Sequence, residues 1–505
     1  MDNDKLGQAL RRAYEVVESK GKTHVLQTKE ISRADREILT KNGWLQEIMR
    51  GWYLLVRPDI NPRESSAWYA NFWEFINLYL QHNYGKQYCL SVKDSLDLHI
   101  GKTSVPKQVA VIAKSGANTP IRLPFETSLL IYSGKDMIPE KKERIRGLYV
   151  MPLTFALCKA SPSYFSKNQM DAEIALRLIK DPSELIHTII KHNFVRASGR
   201  IVGAYIFLGK DEMATNIEEA VSAIGIPVNK LNPFEKEKPL FQGDTPKSSY
   251  QARIELMWST YRAKIIPLMP NPPGLPVNTK EYLKDIEAIH KHDAYHSLSI
   301  EGYHVSHKLI EKVEQGIWNP DKDVLDKNAL AARGYYEAFL EVEKSISGII
   351  NGDPPGKIAK KDLPIWFRKL FSPFVEARLF KLEDLWGYRR HQVYIRNSRH
   401  TPLSRENLLD AMDTFYHCLI NEEHPAVRAI LGHFFFVYIH PFMDGNGRIS
   451  RFLMNAMLAS GGYPWTVIKV DDRSKYFEAL ESASVSNDIV PFAKFIASVI
   501  QAPRV

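Results

Sequence analysis

The residues best able to carry out chemistry lie in one short segment, residues 440–451, which reads His-Pro-Phe-Met-Asp-Gly-Asn-Gly-Arg-Ile-Ser-Arg. His440 has an ordinary pKa suited to accepting a proton near neutral pH. Asp444 offers a hard carboxylate oxygen, the ligand that Mg²⁺ bound to phosphates requires. Together with the phosphate-binding features of the same segment, they indicate a site for attack on a nucleotide phosphate.

The backbone of the same segment is suited to binding an anion. Gly445 and Gly447 flank Asn446, so the chain can adopt positive-φ conformations in which successive N–H groups point to one place. Residues 448–458 have helical propensity and apolar positions at helical spacing. A helix that begins at the glycines would direct its free N–H groups and the positive end of its dipole at a phosphate.

Two arginines follow the glycines. Arg448 and Arg451 are three residues apart, which places both guanidinium groups on one face of the first helical turn, where they can bind successive phosphates. The alternative is a glycine-rich loop between two core helices, with solvated arginines and a packed His440. We favour the phosphate site, because the alternative does not require His, Asp, Asn and two Arg at fixed offsets.

Residues 440–451 resemble the signature of the Fic family, His-Pro-Phe-x-(Asp/Glu)-Gly-Asn-Gly-Arg-x-x-Arg, with every specified position filled. The resemblance implies a protein adenylyltransferase that moves AMP from ATP to a Ser, Thr or Tyr hydroxyl of a target protein. His440 would be the general base, and Asp444 would hold Mg²⁺ (or Mn²⁺) on the phosphates. The resemblance assigns the other residues to the phosphates of ATP: Gly445, Asn446 and Gly447 to phosphate oxygens, Arg448 to the β-phosphate and Arg451 to the γ-phosphate.

Residues 297–302, Ser-Leu-Ser-Ile-Glu-Gly, resemble the inhibitory motif of Fic proteins, (Ser/Thr)-x-x-x-Glu-(Gly/Asn). The spacing puts Ser297 and Glu301 on one helical face, and Gly302 is suited to end that helix. The resemblance implies that Glu301 pairs with Arg451 in the place of the γ-phosphate, so that the enzyme inhibits itself. It leaves self-AMPylation and de-AMPylation open. Read alone, the motif is equally typical of an ordinary surface helix end.

Two further segments resemble parts of a Fic site. Residues 393–395 and 400–402 predict a strand, a polar turn and a return, similar to the flap hairpin that pairs with the target backbone. A plain surface hairpin is an equal alternative. The flap residues would be Val393, Tyr394, Ile395, His400 and Pro402. By the same resemblance Tyr476 borders the nucleotide, although a core tyrosine with a satisfied hydroxyl explains it as well.

The catalytic segment requires a helical scaffold, and the sequence predicts one. Five prolines and a glycine fall within the ten residues 267–276 and cannot continue a helix. We therefore predict a Pro-rich linker over 231–279 and an all-helical Fic domain over 280–500. Its predicted helices cover residues 280–315, 326–350, 404–420, 425–439 and 447–460, with a loop at 351–356.

The first 60 residues predict a different, α+β module, which makes the fold class multidomain and mainly α. A helix over 5–19, a short segment over 28–31, a helix over 32–42 and a hairpin that turns at residues 50–51 follow the order of a winged helix. This segment resembles the N-terminal domain of the AbiEi antitoxin family. Residues 61–230 loosely resemble the second, α+β domain of that family. Such antitoxins bind operator DNA or restrain a nucleotidyltransferase.

Charge gives limited support for DNA binding. Residues 1–60 hold eleven Lys and Arg against nine Asp and Glu, which is not the dense basic stripe of an operator binder. The net charge of +9 is spread along the whole chain. We favour protein docking or a structural role for this module. The alternative function is a DNA-binding regulator whose Fic fold senses nucleotide without transferring it.

Composition narrows the class of protein further. The 505 residues are 44% hydrophobic and 25% charged, as in globular multidomain proteins. No run approaches the ~20 apolar residues of a membrane span, and the first residues lack an apolar signal core. The three cysteines have neither disulfide nor zinc spacing. We expect a cytoplasmic protein with ATP and a target protein as partners and no membrane partner. The Fic resemblance is compatible with a homodimer.

Overall fold

The computed structural model describes residues 2–21, 23–58, 64–134, 137–236, 238–240, 246, 248–315 and 326–502. The chain forms two compact units. The first comprises Met1–Ser249 and Tyr394–Thr401, and the second comprises Tyr250–Val393 and Pro402–Val505. Within the described residues, none of the helices combines the length and the apolar character of a membrane span.

The first unit begins with a small α+β region, as predicted. Its elements are the helix Asp2–Ser19, the strand Val25–Gln27, the 3₁₀ turn Thr28–Glu30, the helix Arg33–Lys41 and the strands Leu45–Met49 and Trp52–Leu55. The last strand lies between the other two and is antiparallel to both. The Ser32 hydroxyl accepts a hydrogen bond from the Asp35 N–H and caps the second helix. The predicted hairpin is confirmed, and the identity as a winged helix stays a prediction.

A second sheet and a group of helices complete the first unit. The sheet has the order Tyr88–Leu90, Gln108–Ala113, Ser128–Ser133 and Pro120–Arg122, and its two middle strands are parallel. The strands Glu143–Ile145 and Leu148–Val150 form a separate antiparallel pair. The helices are Ser66–Tyr84, Val92–His99, Leu153–Lys159, Pro162–Lys167, Gln169–Arg177, Pro182–Lys191, Val195–Phe207 and Asp211–Ser222.

Residues 394–401 belong to this first unit although they are distant from it in sequence. The Thr401 N–H donates to the Thr103 carbonyl (2.9 Å), and the Val105 N–H donates to the Arg399 carbonyl (2.8 Å). The prediction of a hairpin is therefore wrong, while the role of these residues in docking a target stays a prediction. Residues 393–402 form no strand beyond one isolated bridge, because the backbone of residues 399–401 bonds to residues 103–105 and not to a returning strand of its own.

The second unit is built from helices joined by short loops. They are Ser249–Ile265, Thr279–Ile300, His307–Glu314, Lys327–Ile350, Pro355–Glu376, Leu408–Asn421, Pro425–Ile439, Asn446–Ala459, Arg473–Ser486 and Val490–Gln501. The 3₁₀ turns Ile266–Leu268, Leu382–Leu385, Arg405–Asn407 and Val470–Asp472 lie between them. The largely buried helix Pro425–Ile439 leads directly to His440.

Three boundaries differ from the sequence prediction. The expected helix over 280–315 ends at Ile300, because Gly302 has a φ of 89° that a helix cannot accommodate. The helix Pro355–Glu376 begins inside the predicted loop and tolerates two internal prolines.

The predicted linker over 231–279 contains the helix Ser249–Ile265. Trp258 of this helix stacks on Phe435 with ring centroids 5.4 Å apart, and the Tyr261 hydroxyl donates to the Ala483 carbonyl at 2.9 Å. These buried contacts attach the helix to the second unit, whose N-terminal boundary is therefore near residue 250.

Candidate active site

The backbone changes direction sharply at His440, where the loop begins. The helix before it, Pro425–Ile439, starts with a proline at its first turn and is buried along nearly its whole length. His440 ends that helix in the left-handed conformation, with φ 56° and ψ 60°. A non-glycine residue in this region is strained by about 1–3 kcal/mol, and such strain is found preferentially at functional sites.

The hydrogen bonds of His440 determine which of its ring nitrogens is basic. Nδ1 lies 3.1 Å from the Val437 carbonyl. Because a carbonyl oxygen only accepts, Nδ1 carries the proton and Nε2 keeps its lone pair. Burial is the largest influence on the pKa of His440 and lowers it to about 4. The imidazole is therefore neutral at neutral pH and can accept a proton through Nε2.

Arg389 fixes the backbone carbonyls of the base and of the residue that follows it. Its Nε donates to the His440 carbonyl at 2.8 Å, and its backbone N–H donates to the Pro441 carbonyl at 2.9 Å. The side chain also donates to the carbonyls of His391 and Leu403. Sequence reasoning missed this residue, since a single arginine outside any motif gives no sign that it bonds to a segment about fifty residues away.

Phe442 and Asn446 fix the shape of the loop. Phe442 stacks on Phe367 with ring centroids 3.9 Å apart and an interplanar angle of 6°. The Asn446 amide donates to the Phe442 carbonyl (2.9 Å) and accepts from the Phe442 N–H (3.0 Å). Both functions of this buried amide are therefore used within the loop. The assignment of Asn446 to phosphate oxygens stays a prediction.

The two glycines are required for different reasons. Gly445 has a φ of 76°, and a Cβ there would lie 2.7 Å from a ring carbon of Phe371. Gly447 was expected to be left-handed as well, but it lies in the helix Asn446–Ala459 and its φ is not positive. A Cβ on Gly447 would lie 2.3 Å from Glu301 Oε1. The second glycine thus leaves space for a carboxylate, whereas the first permits the turn.

Arg448 is a buried cation with unused donors. Its side chain is 1% exposed and lies between the rings of Tyr303 and Phe371, 5.1 and 5.0 Å from their centroids. Nη2 is 3.5 Å from Asp444 Oδ1, while Nε and Nη1 have no hydrogen-bond partner among the described residues. Buried N–H groups are rarely left unpaired. These two groups could therefore donate hydrogen bonds to a bound anion.

Arg451 is bonded to the helix Thr279–Ile300 and to the residue that follows it. Its Nε donates to Ser297 Oγ (2.9 Å), and Nη2 donates to the Ser297 carbonyl (3.0 Å) and to Glu301 Oε1 (2.7 Å). The carboxylate of Glu301 thus takes one hydrogen bond from Arg451. Among the described residues Nη1 has no partner.

The position of Glu301 follows from how its helix ends. Asn278 caps the start of the helix, and Glu301 is the C-cap, followed by Gly302 in the left-handed region. Ser297 is buried one turn earlier on the same face. The Glu301 side chain is still 29% exposed.

Two pairs of buried polar side chains lie near Arg451. Neither pairing was predicted from the sequence. The Tyr335 hydroxyl donates to Asp293 Oδ2 at 2.6 Å, and burial raises the pKa of Asp293 to about 6. The Tyr476 hydroxyl lies 2.8 Å from His433 Nε2, and burial raises the pKa of Tyr476 to about 12. Tyr476 is thus a core residue whose hydroxyl has a partner. Its place beside a nucleotide stays a prediction.

The residues at the loop fit a metal ion that arrives with phosphates. The Asp444 side chain is 53% exposed and lies beside the N-terminus of Asn446–Ala459. The described residues contain no group of three or more His, Cys, Asp and Glu able to hold a metal alone. Mg²⁺ commonly takes one or two carboxylates and completes its shell with water and phosphate oxygens. Asp444 can supply the carboxylate.

The part of the chain that contains this loop is similar to a described protein family. Residues 369–458 match the sequence profile of the Fic/DOC family. The chain is 31% identical over 232 residues to a protein adenylyltransferase Fic of Nematostella vectensis, covering 44% of this chain and 50% of that protein. It is 45% identical over 114 residues to a protein adenylyltransferase Fic of Drosophila virilis, covering 22% of this chain and 23% of that protein.

These matches are partial. The chain spans half or less of the length of these curated relatives. Among solved structures, it resembles Fic-1 (aa134–508) from C. elegans with a TM-score of 0.37 and 18% identity, over 68% of this chain and 94% of that one.

Proposed function

We propose that this chain, which carries a Fic-family domain at residues 369–458, is a nucleotidyltransferase that moves AMP from ATP to a Ser, Thr or Tyr hydroxyl of a target protein. The observation that carries the proposal is the buried guanidinium of Arg448, whose Nε and Nη1 lack partners among the described residues. It lies in the first turn of a helix whose preceding loop begins with a neutral histidine. A base and an anion site at the two ends of one loop suit attack of a hydroxyl on a phosphate.

The reaction balances with groups that this chain supplies. His440 Nε2 accepts the proton of the target hydroxyl, and the hydroxyl oxygen bonds to the α-phosphorus of ATP. The bond from the α-phosphorus to the bridging oxygen breaks, and pyrophosphate leaves with that electron pair. Arg448, Arg451 and the N-terminus of Asn446–Ala459 stabilise the negative charge. Asp444 would hold Mg²⁺, which supplies further neutralisation of phosphate charge.

The contact between Glu301 and Arg451 supports inhibition of this activity from within the chain. The carboxylate takes a hydrogen bond from Arg451 Nη2 at 2.7 Å. A phosphate that used the same donor would have to displace Glu301 or accept a like charge beside it, which is unfavourable in a buried site. Transfer by the unmodified protein is therefore expected to be weak until Glu301 moves away.

The experiment that tests the proposal follows label from α-labelled ATP to protein, in the presence of Mg²⁺. Three versions are compared: wild type, Glu301→Gly, and Glu301→Gly combined with His440→Ala. We expect strong labelling by Glu301→Gly, faint labelling by wild type and none by the double variant. Calorimetry with ATP runs beside it. If all three bind ATP and none labels itself or a lysate, the transferase proposal is wrong.

The first 58 residues support protein docking better than DNA binding. On the exposed helix Arg33–Lys41, Arg33 pairs with Glu37 at 2.9 Å, and Arg36 lies over the Tyr53 ring and donates to the Thr28 carbonyl. Several of the basic groups that would meet phosphates are therefore engaged. A tight shift of operator DNA without label transfer would reverse this preference. The relation to AbiEi antitoxins, a homodimer, de-AMPylation and location in the cytoplasm stay predictions.

A further inference from the structure

A cavity of about 280 Å³ opens in the second unit directly beside Asp444. Its walls are mainly aromatic and apolar. They include Phe371, Phe380, Trp386, Tyr388 and Met443. Small-molecule sites usually have roughly 300–1,000 Å³ and enclose most of the ligand. This cavity is slightly smaller than that range, which suits one amino-acid side chain.

The mouth of the cavity continues into exposed apolar side chains. Trp386 and Met443, which line it, are 60% and 46% exposed, and Leu382, just before the lining residues in the chain, is 63% exposed. Single exposed apolar residues are ordinary, but several of them around a concave site indicate an interaction surface. The guanidinium of Arg368 lies 4.6 Å from the Trp386 ring centroid, which helps to hold the exposed ring in place.

We infer that this cavity, called here the anchor pocket, binds an apolar side chain of the target protein near the hydroxyl that receives AMP. This inference rests on the proposed function. Met443 lines the pocket and lies three residues after His440, a separation that spans at most about 10 Å. An extended target segment anchored against Met443 would therefore present a hydroxyl to His440 from within about three residues of the anchor.

The charges at the rim indicate what flanks the anchor. The exposed carboxylates of Glu383 and Asp384 line the pocket together with Asp444. Arg390 and His391 line another part of it. A target with one basic residue beside the apolar anchor complements this arrangement, whereas an acidic residue there would be repelled by the carboxylates.

A nucleobase is the competing occupant, and the observations favour the protein side chain. A base in a nucleotide site is normally enclosed over most of its surface. Here Trp386 and Met443 leave about half of their own surfaces open to solvent. Protein docking sites combine such exposed anchoring rings with a polar rim.

The test uses pairs of dye-labelled peptides that contain one threonine. The two peptides of a pair differ at one position, which is leucine in one and alanine in the other. This position is moved in turn to each site on either side of the threonine. The parent protein is Glu301→Gly, and the variant adds Trp386→Ala, a change at an exposed residue. Leu409→Ala is the matched control, since Leu409 is 67% exposed and does not line the pocket. Peptide binding is measured by fluorescence anisotropy, ATP binding by calorimetry, and transfer by α-label.

We expect the parent to prefer a leucine peptide over its alanine partner by about tenfold, as for burial of one apolar side chain. Trp386→Ala should remove that preference and leave ATP affinity unchanged, and Leu409→Ala should change neither. If the parent prefers no leucine position, the inference is overturned. If Trp386→Ala weakens ATP binding and not peptide preference, the pocket holds the nucleobase and the inference is again overturned.

The same measurements separate this inference from the proposed function. A leucine preference that depends on Trp386, in a parent that transfers no label, would support the anchor pocket and contradict the transferase. Label transfer without any leucine preference would support the transferase and contradict the anchor pocket. Circular dichroism of each variant confirms that the helical fold is retained.

Discussion

Replacing Glu301 by glutamine should raise AMP transfer and lower the free energy of unfolding. Both effects come from the contact between Glu301 and Arg451, which inhibits the site and stabilises the fold. The substitution keeps the shape of the side chain and removes its charge. Glu301 gives Arg451 a charge-assisted hydrogen bond of 2.7 Å, and the arginine side chain is only 3% exposed. Hydrogen bonds to charged groups are worth about 1.5–3 kcal/mol. The neutral amide oxygen of glutamine still accepts a weaker hydrogen bond from Arg451. Label transfer should therefore rise by no more than this free energy, which corresponds to at most roughly 150-fold.

The same substitution leaves the buried guanidinium of Arg451 with less negative charge beside it. Breaking a fully buried ion pair costs about 3–5 kcal/mol. Glu301 is 29% exposed, and two hydrogen bonds to Ser297 remain. We therefore expect a smaller loss, of about 1–2 kcal/mol, in the free energy of unfolding. ATP with Mg²⁺ should restore stability to the variant more than to wild type, because the ligand binds the site that Glu301 has left.

The assay combines urea unfolding, with and without ATP and Mg²⁺, and transfer from α-labelled ATP. Glu311→Gln is the matched control: Glu311 pairs with Lys291 at 3.3 Å, and both side chains are nearly half exposed. That change should alter stability by less than about 1 kcal/mol and leave transfer unchanged. The reasoning is refuted if Glu301→Gln loses stability without any gain in transfer, since Glu301 would then be a structural residue only.

Three further outcomes follow from single sites. Gly445→Ala should lower the free energy of unfolding by more than about 1 kcal/mol in urea titrations, because φ is 76° and the new Cβ would lie 2.7 Å from Phe371; an unchanged midpoint would contradict the loop geometry. In the Glu301→Gly variant, label transfer should fall as pH drops through about 4, because His440 must stay neutral and its pKa is lowered to about 4; a midpoint near 6.5 would show that the base is solvated. Burial raises the pKa of Asp293 from 3.8 to about 6, so the folded state binds the extra proton and stability should fall as pH rises from about 4 to 6. Asp293→Asn should flatten that part of the curve, and a curve of unchanged slope would rule out Asp293 as its source.

The sequence predicted those elements whose signals are local. The helix over 425–439 was predicted with the bounds that the structure shows, because a proline starts it and a largely apolar segment continues it. The first hairpin was predicted because Arg50-Gly51 separates two strand-forming segments, which span Leu45–Met49 and Trp52–Leu55 in the structure. The helix Pro355–Glu376 was missed, since Pro364 and Pro373 ordinarily argue against a helix interior. Packing of its buried aromatic residues outweighs that local preference.

By itself the sequence determined the chemical groups at the candidate site, which are the base His440, the carboxylate Asp444 and the two arginines. Local helix geometry is enough to bring these groups together, because they lie within twelve consecutive residues. The tertiary structure decided their state. The Val437 carbonyl selects the basic nitrogen of His440, and the buried environment lowers its pKa. Arg448 is buried, with two donor groups that have no partner in the described part of the chain. Arg389 donates to a carbonyl fifty-one residues away. These properties depend on distances between segments far apart in the chain, and on exclusion of water by their packing, which no local pattern encodes.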